Sequence, residues 1–140
     1  MPVYYRLTKS NMKGKSKGRY YAKSVSMGEV HIDEMAKILS ASGTVTEGDV
    51  FAVLKDLTIL MKRELGEGRT VVLDGLGRFR IAIESDSVEA PDEFNAAKHI
   101  RGLQCKFIAQ GHRDHMISKV VRPFTDGLTC LRAPINDVHD

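Results

Sequence analysis

The sequence predicts an α+β fold in which a β-hairpin precedes two helices and a three-stranded antiparallel sheet that carries a projecting arm. Three observations favour this class. Apolar residues recur with a helical period between residues 32 and 65, strand-like runs lie on both sides of that region, and turn residues separate the runs. Helices and strands that are segregated along a chain in this way are typical of α+β domains.

The N-terminal segment predicts a β-hairpin with a basic loop. Residues 3–8 and 19–25 are rich in aromatic and β-branched side chains, whereas residues 10–18 between them are polar and include two glycines. The lysines of the loop are Lys13, Lys15 and Lys17. A solvated loop whose lysines only keep the protein soluble is the alternative interpretation.

Two amphipathic helices are predicted next. From Ile32 to Leu39 the apolar side chains lie on one face of a 3.6-residue period, and Gly43 follows where a helix would stop. Thr46 is a candidate N-cap with an acid three residues later, and a second apolar stripe runs from Val50 to Leu65. Both stripes are too wide for one partner helix, so we expect a dimer to cover the remaining apolar surface.

Strands and turns follow the helices. Residues 70–74 read as a buried strand, Gly75-Leu76-Gly77 as a tight turn, and residues 78–84 as a strand that alternates basic and apolar side chains. Residues 85–97 contain four acids and few apolar groups, so we expect them to project or to be disordered. Residues 100–109 form the third predicted strand.

These elements define three parts. We expect a basic hairpin extension at residues 1–27, a domain of helices and sheet at 28–115 with its arm at about 85–99, and a C-terminal tail at 116–140. Residues 116–121 could form a helical turn, and the rest of the tail has no clear period.

Charge is divided unevenly along the chain, whose net charge is +3. Residues 1–23 carry seven basic and no acidic side chains, residues 24–97 carry seven basic and fourteen acidic ones, and residues 98–140 carry seven basic and four acidic ones. A polyanion would therefore be attracted to the two ends.

Basic side chains of the predicted sheet could join into a saddle when two subunits place their sheets side by side. They are Arg78, Arg80, Lys98, Arg101 and Lys106. Strand faces that are merely decorated with charge are the alternative, and the two interpretations are equally supported by the charges alone.

No catalytic, cofactor or metal site is predicted. The Gly75-Leu76-Gly77 turn lies between two strands with no helix start after it, which excludes a phosphate-binding loop. The segment from His112 to His115 lacks a second ligand pair at zinc spacing, and Cys105 and Cys130 are too few for a disulfide framework. We expect no enzyme and no small-molecule substrate.

The sequence pattern predicts neither a membrane span nor a signal peptide. No stretch approaches eighteen consecutive apolar residues, and the first residues lack the charged and then apolar layout of a signal peptide. We expect a cytoplasmic protein without a membrane partner.

Residues 68–81, placed after two helices, resemble the HU and integration host factor family of bacterial DNA-binding proteins. In that family the second helix is followed by a strand, a Gly-x-Gly turn and a strand that opens with an aromatic residue. Residues 100–107 are similar to the returning strand of the family, which ends on a basic residue and a phenylalanine. The N-terminal strands resemble a longer HU-related subfamily.

The resemblance implies an HU-like domain at residues 28–115 that forms an intertwined homodimer. Its β-arms would enter the minor groove of double-stranded DNA and bend it, with a preference for bent or nicked duplexes and a location on the nucleoid. The saddle residues and the loop lysines would bind DNA, and Pro91 would be the arm-tip wedge.

The charge of the arm departs from the family. Family arms are basic near the wedge, whereas Pro91 is flanked by Glu89, Asp92 and Glu93. Acids repel phosphates, which opposes insertion of this arm. The alternative function is therefore an HU-fold protein-interaction module whose acidic arm has lost DNA bending.

Overall fold

The computed structural model describes residues 2–116 and 118–134, and it contains strands and helices in two compact units. The central unit spans Ile32–Phe124, and the terminal unit is the described part of Met1–His31 and Thr125–Asp140. In chain order the elements are β1 (Pro2–Lys9), β2 (Tyr20–Ser24), α1 (Ile32–Ala41), α2 (Glu47–Gly66), β3 (Val71–Leu73), β4 (Gly77–Ser85), a 3-10 turn (Pro91–Glu93), α3 (Ala96–His99), β5 (Ile100–Ala109), β6 (His112–Asp114), β7 (Lys119–Val121) and β8 (Thr129–Arg132).

The terminal unit is a three-stranded sheet in the order β2-β1-β8. β1 and β2 form the predicted antiparallel hairpin, with Tyr5 opposite Ser24 and Lys9 opposite Tyr20. β8 pairs with the other edge of β1 in parallel, and Pro2 lies opposite Thr129. The first strand of the chain is therefore the centre of this sheet.

The central unit begins with the two predicted helices, which lie close to their predicted bounds. Thr46 is the N-cap of α2, and its side-chain oxygen accepts a hydrogen bond from the Asp49 amide at 3.2 Å. α1 packs on α2 through Ala36, which is fully buried. The sequence pattern therefore predicted both the helices and the capping interaction.

A three-stranded antiparallel sheet in the order β3-β4-β5 follows the helices. The turn between β3 and β4 brings Gly77 against β5, and a Cβ atom there would lie 2.3 Å from the Ile108 carbonyl oxygen. Gly77 also has a φ of +151°, so glycine is required for both reasons. This close approach fixes the base of the β4–β5 hairpin.

The C-terminal part differs from the irregular tail that the sequence pattern predicts. Within residues 116–121, Lys119–Val121 is the strand β7, which pairs with β6 and is not a helical turn. Thr129–Arg132 is the strand β8. Strands of three or four residues are too short to show a clear period in the sequence. Their stability comes from the strand with which they pair. The predicted tail after residue 134 lies outside the described residues.

The described residues bury little apolar surface. Their buried apolar side chains are Ala36 and Ala133, and none of the 20 residues of α2 is buried. Large side chains of α2 stay in solvent, including Val53 at 65% exposure and Ile59 at 68%. Exposed apolar surface of this extent is typical of sites that contact another protein or a ligand.

Candidate nucleic-acid interface

The β4–β5 hairpin has one apolar face and one basic face, because side chains alternate along each strand. Phe79 pairs with Phe107, and their ring centroids are 4.8 Å apart. Phe79, together with Ile81, Ile83, Leu103 and Cys105, borders a groove beside α2. The residues between them in sequence therefore lie on the opposite side of the hairpin, away from α2.

That opposite side carries three cations, which we call the basic face and define as Arg78, Arg80 and Lys106. Arg80 lies directly opposite Lys106, and Arg78 is one step diagonal to it. All three are exposed. Within the described residues none of them forms an ion pair. Like charges in directly opposed positions destabilise a sheet, and a bound anion would relieve that repulsion.

Arg101 and Lys98 lie apart from the basic face. The register shifts where Glu84 pairs with Gly102 and Ser85 with Ile100, so Arg101 is the extra residue of a bulge. Its Nε donates to Asp86 Oδ1 at 3.0 Å. Lys98 belongs to α3 and not to a strand. The structure thus brings together three of the five predicted saddle residues.

The connection between β4 and β5, residues 86–99, is folded and is called here the arm tip. The Asp86 amide donates to the His99 carbonyl oxygen at 2.8 Å and closes its base. Asn95 caps α3 through a bond from the Ala97 amide to Oδ1, and the Asn95 amide donates to Nδ1 of His99 at 2.8 Å. The ring centroids of Phe94 and His99 are 5.3 Å apart, and the two rings are tilted against each other. Of the two expectations for residues 85–97, a projecting or a disordered segment, the disordered one is therefore wrong.

Pro91 occupies the first position of the 3-10 turn in the arm tip. It is exposed, and so are Glu89, Asp92 and Glu93 around it. The acidic surroundings that the sequence indicated are thus present in the structure. The acidic, weakly apolar composition of residues 85–97 did not reveal that they are folded. Asn95 could have indicated it, because an Asn before a short helical run is a typical N-cap.

The loop lysines Lys13, Lys15 and Lys17 lie in the terminal unit, between β1 and β2. All three are exposed, and they form no ion pair in the described part of the chain. They therefore form a cationic surface of the terminal unit, whereas the basic face belongs to the central unit.

Comparison with known proteins identifies the family. The sequence model of HU-HIG, described as an HU domain fused to a wHTH, Ig or glycine-rich motif, matches residues 1–122. The chain belongs to the HU-HIG family. The resemblance to HU that residues 68–81 and 100–107 carry is therefore confirmed, and the N-terminal hairpin falls within the region that HU-HIG members share.

A solved structure supports the fold of this HU-HIG chain. It is the crystal structure of a "Putative bacterial DNA binding protein" from Bacteroides vulgatus ATCC 8482, with a TM-score of 0.53 and 10% sequence identity. The match covers 76% of this chain and 41% of that one, so this chain spans less than half the length of its structural neighbour. A search of the curated proteins finds no match.

The described residues of the HU-HIG chain contain neither a metal-binding cluster nor a membrane-spanning helix. Among residues 2–116 and 118–134, no three His, Cys, Asp or Glu side chains are arranged to hold a metal ion. No helix in the same ranges combines the length and the apolar character that a membrane span needs.

Proposed function

We propose that this HU-HIG chain is a non-enzymatic, largely sequence-neutral DNA-binding protein that acts on the nucleoid as a homodimer. The basic face carries the proposal, because it presents three exposed cations without an anionic partner in the described residues. Such a surface neutralises phosphates and releases counterions from DNA. The HU domain of the family and the DNA-binding description of the structural neighbour support the same function.

The homodimer is proposed from the groove between α2 and the sheet. This groove has a volume of about 820 Å³ and is lined mainly by apolar side chains of α2, β4 and β5. Leu103 and Ile83, which line it, are 70% and 61% exposed. Burial of each such side chain contributes about 1.5–3 kcal/mol. A second copy that inserts its own apolar face would complete the intertwined HU arrangement of two helices and three strands.

Binding through the basic face would read the backbone and the deformability of DNA more than its bases. Cations on a strand face contact phosphates, which carry no sequence information. A duplex that is already bent or nicked deforms at a lower cost, so the dimer should prefer it. Lys13, Lys15 and Lys17 would add phosphate contacts from the terminal unit, and Lys98 and Arg101 would add them beside the arm tip.

The proposal is tested by fluorescence anisotropy with a linear and a nicked duplex of equal length at two salt concentrations. Tighter binding to the nicked duplex, weakened steeply by salt, is expected for an architectural DNA-binding dimer. An absence of binding at low salt would refute DNA binding.

The acidic arm tip favours a second candidate function, an HU-fold protein-interaction module that has lost DNA bending. Glu89, Asp92 and Glu93 are exposed around Pro91, the candidate wedge, and they would repel the phosphates that flank a minor groove. For such a module, reversal of the three acids to lysine should create an affinity for DNA that the native protein lacks. Strong binding of native protein to DNA would exclude this function.

A further inference from the structure

The terminal unit contains an aromatic and cationic surface that differs in character from the basic face. An open cavity of about 690 Å³ lies where the loop of residues 10–19 meets the ends of β1 and β2. Lys9, Arg19, Tyr20 and Tyr21 border it. Its volume lies within the range of about 300–1,000 Å³ that is usual for small-ligand pockets, and it is large enough for a nucleotide.

The two tyrosines present ring surface to solvent. Tyr20 is 66% exposed and Tyr21 is 48% exposed. Neighbouring side chains of a strand alternate between its two faces, so Tyr20 lies beside Lys9 on one face of the hairpin and Tyr21 lies beside Thr8 on the other. Exposed rings on a hairpin that also carries exposed cations are suited to stack on nucleobases.

The loop that carries the lysines is folded by its own hydrogen bonds. The Ser10 amide donates to the Arg19 carbonyl oxygen at 2.7 Å, and the Gly18 amide donates to the Ser10 carbonyl oxygen at 3.2 Å. Gly14 and Gly18 adopt left-handed conformations, with φ of +104° and +78°, that allow these turns. The cations are therefore held on an ordered loop, which lowers the entropy lost when a ligand binds.

We propose that this hairpin binds single-stranded nucleic acid that passes over its edge strand β2, with bases stacked on Tyr20 on one face and on Tyr21 on the other, and with phosphates bound by Lys9, Arg19 and the loop lysines. Residues 1–23 carry seven cations and no acid, which fits a polyanion. The rings select a single strand, because base faces in a duplex are covered by their stacked neighbours. This binding does not rest on the DNA function proposed for the basic face.

The test is fluorescence anisotropy of the full chain with three labelled twelve-nucleotide strands: thymidine DNA, uridine RNA, and an abasic DNA that keeps the phosphates and lacks bases. The expected result is binding to thymidine DNA or uridine RNA that is at least about tenfold tighter than to the abasic strand. Whichever of the first two binds more tightly identifies the nucleic acid.

Matched variants separate stacking from charge and from folding. Tyr20→Ala with Tyr21→Ala should remove the preference for strands with bases, whereas Tyr20→Phe with Tyr21→Phe should retain it, because phenylalanine also stacks. Replacement of Arg78, Arg80 and Lys106 by alanine should weaken duplex binding and leave single-strand binding unchanged. Equal affinity for the abasic strand, or equal loss of duplex and single-strand binding in the tyrosine variant, would overturn the proposal.

Discussion

Arg80 and Lys106 face each other across β4 and β5 with no acid between them, and this pairing has opposite consequences for folding and for binding. Directly opposed like charges in an antiparallel pair destabilise the sheet by a few tenths of a kcal/mol to about 1 kcal/mol. The same two charges lie where one phosphate could bind both. A surface that costs stability in the free protein is typical of a functional site.

Arg80→Gln should therefore stabilise the free protein and weaken its binding to DNA. We expect a gain of roughly 0.2–1 kcal/mol in the free energy of unfolding, measured by urea denaturation, and a loss of duplex affinity in the same preparation. Lys37→Gln, an exposed change on α1, is the matched control and should alter neither quantity. A destabilised Arg80→Gln variant would show that the pairing is not repulsive.

The five saddle residues predicted from the sequence include all three residues of the basic face, together with Lys98 and Arg101, which lie apart from them. Strand alternation placed Arg78 and Arg80 on one side, and the register then brings Lys106 beside them. Arg101 could not be assigned correctly, because the bulge that removes it from the alternation depends on how β4 and β5 are paired. Its ion pair with Asp86 also depends on the fold of the arm tip, which periodicity does not reveal.

The arm is the element whose chemistry departs most from a DNA-binding ribbon. Its tip is held by local capping, and its acids outnumber its cations. Asp86 Oδ1 lies 3.0 Å from Arg101 Nε, and the side chains of Asp86 and Arg101 are 47% and 65% exposed. An exposed pair of this kind contributes little to stability, so we expect its main effect on the proposed DNA binding, where it would occupy the charge of Arg101.

Asp86→Asn should release Arg101 and tighten duplex binding. The slope of log K against log salt should steepen by about 0.9 for each additional phosphate that the protein neutralises. Glu89→Gln removes an equal charge from the same element without releasing a cation, so it should have the smaller effect. In an Arg101→Ala background, Asp86→Asn should tighten binding no more than Glu89→Gln does, and a larger effect there would contradict the mechanism.

The end of α2 provides an element whose stability depends on pH. Arg69, hydrogen-bonded to the Glu64 carboxylate, holds the pKa of that carboxyl below its ordinary value, and Arg63 adds to the effect. A carboxyl with a lowered pKa in the folded state stabilises the protein above its ordinary pKa, and this contribution is lost as the pH falls through the lowered value.

Glu64→Gln should therefore be less stable than the native protein at neutral pH by a small amount, and the difference should shrink in acid. Urea unfolding at a series of pH values and at one protein concentration measures this. Asp56→Asn, also on α2 and without an ion pair in the described residues, should show no such convergence. A constant difference at all pH values would rule out the ion pair as its cause.

The elements themselves were predictable to different degrees. The helices and β4 have enough residues to show a period, and Thr46 marked the start of α2. β8 has four residues and pairs with β1 from the opposite end of the chain, so its stability comes from a partner that no local pattern can reveal.

At the scale of the whole molecule, the central unit buries little apolar surface among its described residues, which is the basis of the proposed dimer. Val53, Ile59 and Leu103 are each at least 65% exposed, and the groove beside α2 is lined mainly by apolar side chains. The wide helical stripes indicated exposed apolar residues on the helices, and the structure shows in addition that Ile83 of β4 and Leu103 of β5 are exposed beside α2.

Leu103→Asp should convert the proposed dimer to an unstable monomer, because burial of a carboxylate in the filled groove costs free energy. Sedimentation equilibrium measures the change in mass, and circular dichroism measures folding. Val72→Asp is the matched control, since Val72 is 51% exposed and lies opposite Arg78, away from the groove. It should remain dimeric. A monomeric native protein would contradict the dimer directly.

The most direct test of the DNA-binding claim is the salt dependence of duplex affinity in a variant that lacks the opposed cations. Arg80→Ala with Lys106→Ala should bind more weakly, and its slope of log K against log salt should flatten by about 0.9 for each phosphate that the variant no longer neutralises. Lys37→Ala with Lys55→Ala removes the same charge from the helices and should keep the native slope. Two variants with equal affinities and equal slopes would show that net charge, and not the basic face, binds DNA.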